Sequence, residues 1–423
     1  MTANWSAQLD RFFRLHLPPA TPAISTGIFH YRRESDGNVT RFHLRVEEDG
    51  SGLLLANASV AARLTPSGVV IARALLEGKN EQGVSQIVKR IFRDVRESQF
   101  QKDYRKLKSF IETLANPEDN YPIFNLEDPS VTSMSGLFAP FHAQMPVADP
   151  GKINPLLERL WESGIVHVTF AASPGSPAAD AISNIERAED TGMISGLRAS
   201  GSWFSASDLL RSAAMAGVDY ITVPVVSADA PVHDSYFKSG DLPAAFKIFT
   251  ECRKLEVCPV AEIPLTRQTL EGLELLLTKL HESGVSNVLY YAIAGAGKSA
   301  LNATEIIQAA VRVEELAHSA QVRYVWQPPV LAEKRDIKSI VRDGPRTAGD
   351  VSIRVEPDGS VYPARGPFQP AGNLLTDSWK AIWEHPAFLR YRKRVESPTH
   401  CDICPGLEIC AADCPGNPEG WAR

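Results

Sequence analysis

The chain has no run of about 18 apolar residues, so nothing in its sequence is suited to span a membrane. It has no excess of positive charge either. Its 44 Lys and Arg against 50 Asp and Glu leave a formal net charge of -6, which makes a nucleic-acid backbone a poor partner. The first residues lack a secretory apolar core, because Asp10, Arg11 and Arg14 interrupt the apolar positions. Cysteine is scarce: there are 6 in 423 residues, and Cys401, Cys404, Cys410 and Cys414 crowd into one C-x2-C-x5-C-x3-C stretch with no second cluster. These absences lead to the expectation of a cytoplasmic protein with reduced thiols, in which clustered cysteines are metal ligands rather than disulfides. Cys252 and Cys258 lie far from the cluster and read as small core residues.

What is present is ordinary globular composition, 44% hydrophobic and 22% charged, over a length that suits two or three domains. Residues 1–39 read as a Pro-containing arm. In 40–116, Phe42, Leu44 and Val46 alternate with polar residues, Asp49-Gly50 turns the chain, and Leu53, Leu54 and Leu55 return it as a hairpin. Helical periodicity follows over Ser67–Leu76, Gly83–Arg93 and Asp103–Leu114, which makes a winged-helix-like module. Pro117, Pro122 and Pro129 mark 117–130 as a linker.

From Val131 the texture alternates between helix and strand. Asp149-Pro150 opens a helix as cap and first-turn proline, and Ile153, Leu156, Leu157, Leu160 and Trp161 line one of its faces. Strands are expected at Val166–Ala171, around Leu197, and at Tyr220–Val226, Val260–Leu265, Val288–Ile293 and Val322–Gln327. Gly164, Gly192, Gly217 and Gly284 stand at helix ends. About six βα units over 131–335 imply a parallel sheet, either a partial barrel or a doubly wound one. A small separate piece, 345–423, begins with Val351, Ile353 and Val355, turns at Pro357-Asp358-Gly359, and returns through Val361-Tyr362. A helix with Trp379, Ile382 and Trp383 precedes the cysteines. Pro405-Gly406 and Pro415-Gly416 bend that tail so that its thiolates, soft ligands suited to zinc or an iron–sulfur cluster, can converge.

The tail resembles the SPASM domain of radical SAM peptide-modifying enzymes, whose C-x2-C-x5-C-x3-C signature is matched at each cysteine. The words upstream match in order: Asp358-Gly359-Ser360-Val361-Tyr362-Pro363, Gly372-Asn373-Leu374-Leu375 and Ile382-Trp383. The βα region resembles the radical SAM partial barrel of six βα units, especially Ser227-Ala228-Asp229 through His233-Asp234 to Phe246. The module at about 42–116 is similar to PqqD-like domains, the RiPP recognition elements that hold leader peptides. The resemblance implies an α/β fold: a partial (βα)6 barrel between a winged-helix-like domain and a small C-terminal SPASM-like domain.

The departures from that pattern decide the expected function. The family places CxxxCxxC after the first strand, and Leu137–Ala143, read as that region, holds no cysteine. Its Gly-Gly-Glu-Pro is replaced by Ala171-Ala172-Ser173-Pro174, and Thr-Asn-Gly by Ala199-Ser200-Gly201. Ser227 remains as a lone cofactor-binding candidate. In the tail region Ala364 stands where the family has a cysteine. Two-cluster members use the first three tail cysteines for one cluster and the fourth for the other, and here no cysteine follows Cys414. One [4Fe-4S] cluster or one zinc ion is therefore expected, without S-adenosylmethionine cleavage.

Two further patterns read as decoys. Gly295-Ala296-Gly297-Lys298-Ser299 looks like the end of a P-loop, but its first glycine would fall on Ala292 within a strand. His142, with Asp149 nearby, reads as a structural or solvated histidine rather than a general base. The expectation is a non-catalytic protein that binds a precursor peptide, an active maturase, or both, with the Leu53–Leu55 strand receiving the peptide by strand addition. The alternatives are a SPASM-type iron–sulfur enzyme or electron-transfer protein with other chemistry, and a zinc-stabilised scaffold.

Overall fold

A computed structural model describes residues 24–35, 38–56, 60–93, 95–114, 137–205, 208–295, 298–332, 335–348, 352–364 and 368–389. The chain forms two compact units, Met1–Ala139 and Pro140–Arg423.

The first unit holds a four-stranded antiparallel sheet in the order β1 (Gly27–Ser35), β2 (Asn38–Val46), β3 (Gly52–Ala56), β4 (Val60–Leu64). Helices Pro66–Leu76, Glu81–Ile91 and Glu97–Leu114 follow. Phe42, Leu44 and Val46 share one face of β2 because side chains alternate along a strand, and they pack with Leu54, Leu64, Val69, Val70, Leu107 and Ile111. Thr65 and Asn80 begin the first two helices by accepting the Gly68 and Gly83 amides. The expected arm, 1–39, is corrected in its last part: β1 pairs along its whole length with β2. Its pattern was legible, since Phe29 and Tyr31 pack on the core while His30 and Arg32 are exposed. The interleaved charges disguised an edge strand.

In the second unit, parallel strands β5 (His142–Pro146), β6 (His167–Ala171), β7 (Ile194–Arg198), β8 (Tyr220–Pro224), β9 (Cys258–Leu265), β10 (Asn287–Ala294) and β11 (Arg323–Trp326) lie side by side in chain order. The short β12 (Val330–Leu331) also pairs with β10. Helices Pro150–Glu162, Ala178–Thr191, Leu209–Met215, Asp241–Lys254, Leu273–Glu282 and Ala303–Ser319 form the crossovers. Asp149 caps the first of these as expected, accepting the Gly151 amide at 2.9 Å. Gly192 and Gly217 end or follow helices at φ 89° and 96°, a region that costs a side-chain-bearing residue energy.

Two expectations are corrected here. The first barrel strand is His142–Pro146, so Leu137–Phe141 precedes it; only Val147, Ala148 and Asp149 lead from it to the next helix. The strand was hard to read because His142 and Gln144 occupy one of its faces. The hairpin of β13 (Ser352–Val355) and β14 (Ser360–Pro363), expected in a separate piece, belongs to the barrel sheet. β13 pairs in parallel with β5, and β15 (Gly372–Asn373) extends the hairpin. The edge of β5 would otherwise leave backbone donors and acceptors without ladder partners.

Candidate functional site: the barrel lumen

Alternation along the parallel strands separates two chemistries. Met145, Val168, Phe170, Leu197, Ile221, Val223 and Ile263 lie fully buried on one face. His142, Gln144, His167, Thr169, Arg198, Tyr220, Thr222, Glu262 and Tyr291 share the register of the other face. Strands in chain order with right-handed crossovers keep the helices on the first face, so this second face is the inner one, the lumen. Every one of these polar side chains is buried.

Nearer the N-terminal ends of the strands, these side chains form a buried hydrogen-bonded network. His142 Nδ1 lies 2.5 Å from Ser352 Oγ, and its Nε2 lies 2.7 Å from Thr169 Oγ1. The Tyr220 hydroxyl lies 2.5 Å from Thr169 Oγ1 and 2.7 Å from His167 Nε2. Burial lowers the His142 pKa to about 3, so the ring is neutral near pH 7, with one nitrogen donating and the other accepting. His142 is buried, with both ring nitrogens engaged, rather than solvated, and Asp149 caps the helix that follows β5.

At the C-terminal ends, Arg198 reaches past β8 to Glu262. Its Nε donates to both carboxylate oxygens at 3.1 Å, and its Nη2 donates to Glu262 Oε1 at 2.7 Å. Burial opposes the Arg198 charge, but the Glu262 carboxylate outweighs it and holds the guanidinium above its ordinary range. Burial also pushes the Tyr291 hydroxyl well up, and the Glu262 charge adds to this. Arg198 donates as well to the carbonyls of Arg342 at 2.9 Å and Val341 at 3.2 Å, on the short helix Ile337–Asp343. Gly344 follows that helix at φ 75°, and a Cβ there would collide with the guanidinium. Ile340 and Val341 are fully buried against Val226, Tyr236, Tyr291 and Ile293.

Beside the mouth, His233 Nδ1 accepts the Val226 amide at 3.2 Å, and its Nε2–H donates to Asp241 at 2.9 Å. Asp241 also accepts the Ser202 amide at 2.7 Å. Burial would raise the Asp241 pKa, but His233 and Ser202 together bring it below its ordinary value. With both nitrogens of the ring committed, this pair binds the loops after β7 and β8 together and leaves no base for a nucleophile. Gly201 lies against helix Asp241–Lys254, whose Ala245 backbone sits where a Cβ would go.

The other candidates fall in different places. Ser227 follows β8, and its Oγ accepts the Asp229 amide at 3.1 Å. Leu53, Leu54 and Leu55 are buried in β3, which is paired on both sides, so the expected strand addition at Leu53–Leu55 is corrected. Among the described residues, β1 and β4 are the edges of that sheet. Ala292 lies within β10, and the helix after Ser299 begins only at Ala303, capped by Asn302 and Glu305, which are not phosphate donors. Cys252 is buried, and Cys258 is partly buried and accepts from Asn287 at 3.4 Å. Cys401, Cys404, Cys410 and Cys414 lie outside the described residues, as does the 117–130 linker. Arg198, Glu262, His167 and Tyr220 were missed by sequence reasoning. The available signal was a charge inside an otherwise apolar strand, Arg198 after Ile194–Leu197 and Glu262 between Ala261 and Ile263.

No family model matches this chain. No curated protein matches it. Among solved structures, Streptococcus suis SuiB bound to S-adenosylmethionine matches with a TM-score of 0.55 at 11% identity, over 90% of this chain and 94% of that one. SuiB bound to its precursor peptide SuiA matches with a TM-score of 0.55 at 12% identity over the same shares. The likeness is one of fold alone: an α/β architecture with a parallel sheet. No helix among the described residues is long and apolar enough to cross a membrane.

Proposed function

We propose that this chain is a non-catalytic relative of radical SAM proteins that binds a precursor peptide, an active maturase, or both, during peptide modification. The observation that carries the reading is the link from β5 to helix Pro150–Glu162. Val147, Ala148 and Asp149 leave no length for CxxxCxxC, and Asp149 is committed to capping. The crystal structure of SuiB with SuiA supports a peptide as occupant, since that protein of similar fold binds one. In this chain a peptide strand would add to a β1 or β4 edge, where backbone groups face outward. The four tail thiolates, Cys401, Cys404, Cys410 and Cys414, are soft donors whose chemistry fits one [4Fe-4S] cluster or one zinc ion; such a centre would stabilise the small C-terminal segment.

The test has two arms. Fluorescently labelled peptides encoded beside the gene are titrated against the full chain, and saturable binding is expected. The anaerobically purified, reduced protein is incubated with S-adenosylmethionine, and no 5′-deoxyadenosine is expected. Formation of 5′-deoxyadenosine overturns the non-catalytic reading, and absence of binding by every peptide and by the neighbouring maturase overturns the binding reading.

A further inference from the structure

We propose that helix Ile337–Asp343 is a displaceable plug that closes the mouth of the barrel lumen, with Arg198 as its latch. This goes beyond peptide binding and does not depend on it. The helix contributes two fully buried side chains, Ile340 and Val341, and they sit on lumen-register residues, Tyr291 and Ile293, at the C-terminal end of β10. Lys338, Arg342 and Asp343 are exposed, and Asp343 pairs with Arg335 at the surface. The helix therefore covers the mouth with one apolar edge and two carbonyls.

The latch is built so that release strands no charge. Arg198 has three contacts to Glu262 and two to the plug. When the helix leaves, the guanidinium exchanges two carbonyls for water and keeps its carboxylate, so no buried ion is left alone. Gly344 permits close approach, since any Cβ there would strike Arg198.

What lies beneath argues that the lumen meets solvent or a polar ligand. Gln144 Nε2, Asn287 Oδ1 and Tyr291 Oη are buried in the lumen register without a hydrogen-bond partner in the protein. Buried polar groups are normally satisfied, and water or small polar solutes entering the lumen would supply the missing partners.

Two measurements on the full chain test the plug. Hydrogen exchange is followed at the Ile340 and Gly344 amides, which bond to the Asp336 and Ile340 carbonyls at 3.1 and 2.8 Å, and at the β9 amides. Local opening predicts exchange about tenfold or more faster at the plug than in β9, insensitive to low denaturant. Equal rates rising together with denaturant would make the helix a permanent part of the core and overturn the proposal. In the second measurement, Thr222→Cys places a thiol in the lumen, and its alkylation by iodoacetamide is read by peptide mass. Adding Ile340→Ala should speed that alkylation about tenfold, since it weakens the plug without touching the ion pair. Unchanged alkylation in a folded variant overturns the proposal, and if the variant does not fold, the exchange measurement on the parent chain decides.

Discussion

Gly196 and Tyr220 stand opposite each other on β7 and β8, and a Cβ at Gly196 would overlap the Tyr220 ring. The missing side chain on one strand makes room for the aromatic on the next, and the ring carries its hydroxyl across to Thr169 and His167 on β6. Gly196→Ala is therefore expected to destabilise the second unit by about 1–3 kcal/mol through overpacking. Tyr220→Phe removes only the hydroxyl and should cost about 1–3 kcal/mol by leaving buried partners unsatisfied. Urea unfolding midpoints check both, and a neutral Gly196→Ala would mean that the ring has another place to go.

Removing one member of the Arg198–Glu262 pair leaves a buried charge alone. Arg198→Met should cost about 3–5 kcal/mol, while Arg198→Met with Glu262→Met should recover much of that loss. Both side chains are almost fully buried, so solvent does not replace the partner. A double-mutant cycle on denaturation free energies gives the coupling, and additivity of the two single changes would deny it.

Acid should destabilise the barrel through His142. Its pKa is about 3 in the folded chain against an ordinary 6.5, so the unfolded chain binds the extra proton first. The contribution of His142 to stability is whole above pH 6.5 and falls as pH drops toward 3, at a slope of about 1.4 kcal/mol per pH unit. His142→Gln should flatten that part of the stability–pH curve. An unchanged slope would assign the acid sensitivity to other groups.

Metal analysis tests the tail. Anaerobic preparations are expected to contain one centre per chain, as iron with sulfide or as zinc, and Cys414→Ser should abolish loading. Full loading of that variant would show that the fourth thiolate is not a ligand.

The legibility of the chain followed a physical rule. Elements with a plainly apolar face or run were readable even where the opposite face is polar: helix Pro150–Glu162 with its Asp149 cap, and strands β6 to β11 within a few residues. Two strands with a weaker apolar signal were not. β5 was missed because His142 and Gln144 look like surface residues until Ser352 and Thr169, distant in sequence, are seen beside His142. β1 was missed because an edge strand carries charge on its open side.

By itself the sequence determined the alternation of helix and strand, the lack of any thiol before the distant Cys252, and the gathering of four thiols near the C-terminus, since these need only local pattern and count. Only the tertiary structure decided that β13 closes onto β5, that β3 has no free edge, and that Arg198 joins Glu262 and the Ile337–Asp343 helix at the lumen mouth. Those pairings bring together groups far apart in the chain. Their chemistry depends on burial and on partners at 2.7 to 3.2 Å, which no sequence spacing records.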